Sequence, residues 1–180
     1  TGVGHNALKE NTTGAGHVAV GAYALDAMST GDNSVAIGYQ ALTAHTASQP
    51  SVAVGRGALQ TNTTGQYNVA VGDRALEDNT ANFNTAVGGF ALYKNTTAAS
   101  NTAFGYAALE QNTTGEKNTA VGFQALSENT TGNYNTAIGP NTLRGTEVTG
   151  SHNVALGLQA LNVITSGSEN VSIGNYSLHK

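Results

Sequence analysis

No cysteine and no tryptophan occur among the 180 residues, and proline occurs only twice. Without thiols, disulfides and thiolate metal sites are excluded. Charge is scarce as well: 10% of the residues are Asp, Glu, Lys or Arg, where an average soluble protein has about 25%. Seven Lys and Arg within a net charge of −4 argue against a surface for nucleic-acid phosphates. No apolar run approaches the roughly 20 residues of a membrane-spanning helix, and no stretch reads as a signal peptide. Low charge and few aromatics could mean disorder, but disordered chains also lack recurring aliphatic positions.

Recurring positions are what this chain has. The stretch from Asn118 through Ala120, Val121, Gly122, Ala125, Leu126 and Asn129 to Gly132 is one phrase, repeated along the whole sequence. Its glycine returns at Gly4, Gly21, Gly38, Gly55, Gly72, Gly88, Gly105, Gly139, Gly157 and Gly174. The steps are of 17 residues, except for 16 from Gly72 to Gly88 and 18 from Gly139 to Gly157. A leucine follows each glycine by four residues, at Leu8, Leu25, Leu42, Leu59, Leu76, Leu92, Leu109, Leu126, Leu143, Leu161 and Leu178. A fixed short period signifies a solenoid that grows by coils. The array begins at Thr1 inside a unit and stops at Lys180 with no dissimilar cap. The expectation is one repeat array over 1–180, cut from a longer polypeptide.

Each unit reads column by column. A run such as Val69, Ala70, Val71 has strand propensity and is too short for a helix. The glycine ends that strand with a backbone angle closed to other residues. A second short strand carrying Ala125 and Leu126 is expected next, then a turn at Asn129, Thr130, Thr131 and Gly132, where short polar side chains bond the local backbone. No Asp, Glu, Lys or Arg falls in the strand before the glycine or in the Ala-Leu pair, so those columns are expected to be interior. The two length changes fall in turns, near Ala81 and between Gly145 and Val148, where loops tolerate them. The Leu143 unit is the least regular, with Pro140 after the glycine and Thr142 where Ala is usual. If the shaft has a kink or specialised patch, this unit is the place for it.

The strand is apolar on both faces, with Val or Thr and Val or Ile on one side and Ala on the other. Strands covered on both sides look like this. One chain can cover only one of them, so lateral association is expected, the small Ala allowing close approach.

Chemistry requires unlike residues to converge, and a repeat resists that. His5, His17, His45, His152 and His179 occupy different columns with no ligand spacing and read as solvated or turn-bonding. Asp73, Glu77 and Asp78 could form a carboxylate pair but read as an exposed charged rim. Asn11, Asn62, Asn95, Asn112 and Asn129 each begin an Asn-Thr-Thr acceptor pattern for N-glycosylation, which turn chemistry also explains. Tyr39, Phe90, Tyr106 and Phe123 lie just after the anchor glycine. They are candidate contacts to a glycan, with side-chain ladders between coils as the plainer reading.

The phrases Asn-Ser-Val-Ala-Ile-Gly at 33–38 and Asn-Thr-Ala-Val-Gly at 118–122 resemble the head repeats of YadA-type trimeric autotransporter adhesins. The fuller form with Ala-Leu and Asn-Thr-Thr-Gly resembles repeats of bacteriophage tail-fibre proteins and large bacterial surface proteins. The resemblance implies a left-handed parallel β-roll and three chains side by side as a homotrimer. It also implies an extracellular location, on a virion tail fibre or the bacterial cell surface.

The expected fold is therefore an all-β parallel β-solenoid of about eleven 17-residue coils. Its structural anchors are Gly21, Leu25, Gly38, Leu42, Gly55, Leu59, Gly72, Leu76, Gly88, Leu92, Gly105, Leu109, Gly122, Leu126, Gly139, Leu143, Gly157 and Leu161. The expected role is a non-enzymatic shaft of a trimeric attachment fibre, without cofactor or metal. A surface adhesin head, contacting host surfaces or glycans directly, and a self-assembling extracellular filament are the alternatives.

Overall fold

The computed structural model describes residues 1–46 and 49–178. His179, which the sequence read as solvated or turn-bonding, and Lys180 lie outside that range. Every coil contributes one short strand: β1 (Gly2–Val3), β2 (Val18–Val20), β3 (Val35–Ile37), β4 (Val52–Val54), β5 (Val69–Val71), β6 (Thr85–Val87), β7 (Thr102–Phe104), β8 (Thr119–Val121), β9 (Thr136–Ile138), β10 (Val154–Leu156) and β11 (Val171–Ile173). They form one parallel 11-stranded sheet in sequence order. The register stacks like on like. Ala70 pairs with Ala86 across the short step, and Ala137 with Ala155 across the long one. The parallel β-solenoid is as expected, and both length changes are absorbed outside the strands.

One coil shows why the phrase folds this way. Gly122 leaves β8 with φ of 133°, and a Cβ there would lie 2.6 Å from the backbone carbon and oxygen of Gly139 in the next coil. Only glycine satisfies both the angle and the contact. Its N–H donates to the Phe104 carbonyl at 2.8 Å and so keeps the inter-coil ladder running through the corner.

The second strand is not there. Ala125 and Leu126 belong to a run of turns, in which Gln124 and Leu126 both take φ of 52°. A left-handed angle costs a non-glycine residue about 1 to 2 kcal/mol. Inter-coil hydrogen bonds offset that cost: Gln124 N–H donates back to Tyr106 O at 2.9 Å, and Leu126 N–H donates forward to Thr142 O at 3.0 Å. Two consecutive residues with inward side chains cannot belong to a strand, whose side chains alternate. In this corner they can.

The interior is narrow. In the Gly122 coil it holds Asn118, Ala120, Ala125, Leu126 and Asn129, all fully buried. Leucines from Leu25 to Leu161 stack as one apolar column with the two alanine columns around them. The strand's other face turns outward. Val20, Ile37, Phe104, Val121, Ile138 and Leu156 all expose more than a third of their surface. The expectation that every uncharged column is interior therefore fails for the residue before the glycine and for the Val or Thr two places earlier. Leu and two amides already fill the coil, so the strand contributes a methyl group inward and its branched side chains outward.

Candidate functional site

Three surfaces emerge from these columns, one internal and two external. The internal one is a polar seam built from two asparagine columns. In the first, each residue preceding a strand accepts from the next: Asn118 N–H donates to Asn101 Oδ1 and Asn135 N–H to Asn118 Oδ1, both at 2.9 Å. In the second, Asn112 Nδ2 donates to Asn95 Oδ1 at 2.8 Å and Asn129 Nδ2 to Asn112 Oδ1 at 2.6 Å. The columns meet on one turn carbonyl per coil. Gly132 O accepts from Asn118 at 2.8 Å and from Asn129 at 3.1 Å, which closes the loop on itself. Where the short coil deletes a residue, Ala81 O takes the same role for Asn68 and Asn79.

This seam is what the turn reading of Asn-Thr-Thr misses. Its asparagines do bond the local backbone as expected, Asn62 Nδ2 donating to Gly65 O at 2.9 Å and Asn112 Nδ2 to Gly115 O at 2.9 Å, but Asn62, Asn95, Asn112 and Asn129 are also fully buried. No glycosyl transfer can reach these four in the folded chain. The threonines do behave as exposed ladder formers, Thr96 Oγ1 donating to Thr113 O at 3.2 Å and Thr113 Oγ1 to Thr130 O at 3.0 Å. The signal for the seam was present in the sequence. The asparagines recur in two columns of fixed offset, and an amide that both donates and accepts can stack on itself indefinitely.

The seam also narrows the reading of two histidines: the turn-bonding alternative holds for His17, whose Nε2 lies 2.6 Å from Gly31 O, and the solvated one fails for both. His5 and His152 are exposed as expected, but His17 and His45 are buried within the two amide columns.

The first external surface is the outward strand face, an aliphatic strip along the full sheet. The second is a set of aromatic ladders beside it. Of the candidate glycan residues, the structure brings Phe90, Tyr106 and Phe123 together. Phe90 meets Tyr106 edge-on at 5.9 Å, and Tyr106 stacks on Phe123 at 5.8 Å. Tyr39 is apart from them and meets Tyr23 at 6.2 Å. Sequence reasoning missed a second aromatic column, five residues before the glycine on the opposite flank of the strip. There Tyr67 stacks on Phe83 at 5.6 Å and Tyr134 on His152 at 4.9 Å, with Lys117 Nζ 4.9 Å from the Tyr134 ring centre. Those residues sit at left-handed angles between 55° and 61°, which throw the side chains outward beside the strip.

The charges form a rim. Arg56 meets Asp73 at 2.8 Å, one coil apart, and its hydrogen bond holds the Asp73 carboxyl below the ordinary value. Arg74 meets Glu77 at 3.3 Å, while burial pushes the Glu77 carboxyl up. Asp73 and Glu77 thus each pair with an arginine. Among the described residues no cluster of three His, Asp or Glu is placed to hold a metal ion, and no helix is long and apolar enough to cross a membrane. No protein-family model, no curated protein and no solved structure matches this chain.

Proposed function

We propose that this array is a non-enzymatic shaft of an extracellular attachment fibre, a phage tail fibre or similar appendage, in which three copies lie side by side on their strand faces. The observation that carries the proposal is the outward row of Val20, Ile37, Phe104, Val121, Ile138 and Leu156. Eleven strands about 4.8 Å apart make this strip roughly 50 Å long. With its flanking columns it is about 15 to 20 Å wide, or roughly 800 to 1,000 Å² per chain, which is the scale of one side of a stable protein interface. A patch of that size is rare on a soluble monomer. The strip repeats with the coil, so a second copy in register is its natural complement. A shaft of this kind works mechanically: it holds identical tips at fixed separation so that weak contacts add.

The aromatic ladders favour a second reading, a surface-adhesin head in which half-exposed Tyr106 and Phe123 rest against sugar rings. The two readings separate in solution. Sedimentation or native mass spectrometry of the isolated array is expected to give three times the chain mass, and a monomer at micromolar concentration removes the shaft. Retention on a glycan array by the wild-type chain, lost in Tyr106→Ser with Phe123→Ser, would establish the adhesin.

A further inference from the structure

Two imidazoles occupy seam positions where most other coils have carboxamides or hydroxyls, Met28, Val148 and Ile164 being the apolar exceptions. His17 heads the column that continues through Ser34 and Ser51 to Asn68, Asn84 and Asn101. His45 stands in the column that continues through Asn62 and Asn79. His17 reproduces both bonds of the amide. Its Nδ1 accepts the Ser34 N–H at 3.2 Å, as Asn101 Oδ1 accepts the Asn118 N–H at 2.9 Å. Its Nε2 lies 2.6 Å from Gly31 O, as Asn118 Nδ2 lies 2.8 Å from Gly132 O. One acceptor and one donor define the neutral ring with its proton on Nε2.

His45 does the same in the other column. Its Nδ1 lies 3.2 Å from Asn62 Nδ2, a group that can only donate, so Nδ1 is again an acceptor. Its Nε2 is enclosed and has no hydrogen-bond partner among the described residues.

A carboxamide does not titrate and an imidazole does. A proton on Nδ1 turns the acceptor into a donor aimed at another N–H, in both columns at once. We propose that His17 and His45 make the early coils an acid-opened section of an array whose later coils, joined through amides, stay closed. Opening releases Leu25, Met28 and Leu42, which are buried in the same coils.

The surroundings set no carboxylate against either ring. Asp32 is exposed and occupied by the Ala15 N–H at 2.7 Å. Asp26 precedes Met28 by two residues, and Ser34, Met28 and Asn62 do not titrate in this range. Among the described residues no carboxylate bonds either imidazole. Burial, with His17 nearby, holds the His45 pKa below its ordinary value, although the Gln49 and Asn62 backbone favours the cation. The sign follows: a base depressed in the folded state contributes fully above its unfolded pKa of about 6.5, and that stability is lost as pH falls through it.

Hydrogen exchange of the full chain, read by mass spectrometry at about pH 7.5 and about pH 5.5 and corrected for intrinsic rates, tests the proposal. Exchange over 17–45 is expected to rise about tenfold at the lower pH, from tenfold per unit below the unfolded pKa of a lowered imidazole such as His45. Exchange over 101–135 is expected to stay flat. His17→Asn combined with His45→Asn, which installs the columns' own residue, is expected to abolish the rise, while His5→Gln with His152→Gln leaves it. A flat response, a rise spread evenly along the array, or a rise that survives in the double Asn chain overturns the proposal. Should the double Asn chain fail to fold, nitrogen NMR of the wild-type rings decides: a cationic ring in a coil that remains protected overturns it equally.

Discussion

Val148 stands over Asn129 and ends the amide ladder. The two backbones form a parallel bridge, Val148 N–H donating to Glu128 O at 2.9 Å and Thr130 N–H to Val148 O at 3.0 Å. Nineteen residues, two more than the usual period, separate Asn129 from Val148, which stands where the next asparagine would be. Its side chain is fully buried, and Asn129 Oδ1 faces it without a hydrogen-bond partner. The irregular Leu143 unit is thus the point where one of the two seam columns turns apolar, and Ile164 follows in the same column one coil later.

Asn112→Val and Asn129→Val remove chemically identical side chains from this column with different outcomes. The first newly orphans Asn95 Oδ1 and leaves Asn129 Oδ1 orphaned as before; the second orphans Asn112 Oδ1 but deletes the existing orphan. A buried unsatisfied acceptor costs about 1 to 3 kcal/mol. Denaturant unfolding is expected to show Asn112→Val less stable than Asn129→Val by about that amount. Equal losses would mean the ladder bonds contribute nothing net.

Glycine is required unequally. In Gly122→Ala the new Cβ meets Gly139 backbone at 2.6 Å at φ of 133°, and neither side can move without shifting a whole coil. A loss of about 4 kcal/mol or more, or failure to fold, is expected. Gly57 has φ of 64°, and its nearest neighbour is the Gln60 side chain at 3.3 Å, so Gly57→Ala is expected to cost only about 1 kcal/mol. Thermal unfolding of the two variants checks the contrast.

Because the chain has no cysteine, a single introduced thiol reports on packing between copies. If strand faces meet in register, Val121→Cys brings the same residue of two copies together, and oxidation is expected to give a covalent dimer on a non-reducing gel. Disulfide closure needs Cα atoms within about 7 Å. Thr114→Cys, exposed in the turn away from the strip, is expected to stay monomeric on that gel.

Glu110 is a destabilising charge. Burial raises its carboxyl pKa, with Glu128 adding to the shift and Lys94 and Arg144 opposing it. An acid raised in the folded state contributes stability below its unfolded pKa and loses it as pH rises through the folded one. Glu110→Gln is therefore expected to raise the melting temperature at neutral pH and leave it unchanged near pH 3. A gain that persists in acid would assign the effect to packing instead of charge.

Much of this molecule was legible one residue at a time. The glycine and leucine columns mark the rungs, the short β-branched runs mark the strands, and Leu126 is buried where the spacing placed it. The Ala-Leu pair was misread because apolar neighbours look like strand, although two adjacent uncharged columns already pointed to a corner. The aromatic ladder before the strand was missed because Tyr67, Phe83 and Tyr134 look like scattered turn residues until coils are stacked.

The amino-acid order alone determined the pitch, the parallel stacking and the positions that only glycine can fill, since each follows from local backbone geometry repeated at a fixed interval. Which way each side chain faces was decided only when the coil closed. Leucine and two amides converge from the corners and occupy a cross-section too small for a valine as well, so alanine methyls turn in and the larger aliphatics turn out. The same closure drew His17 and His45 into the seam and set Asn129 beneath Val148, because distant turns are brought to one carbonyl only by the completed loop.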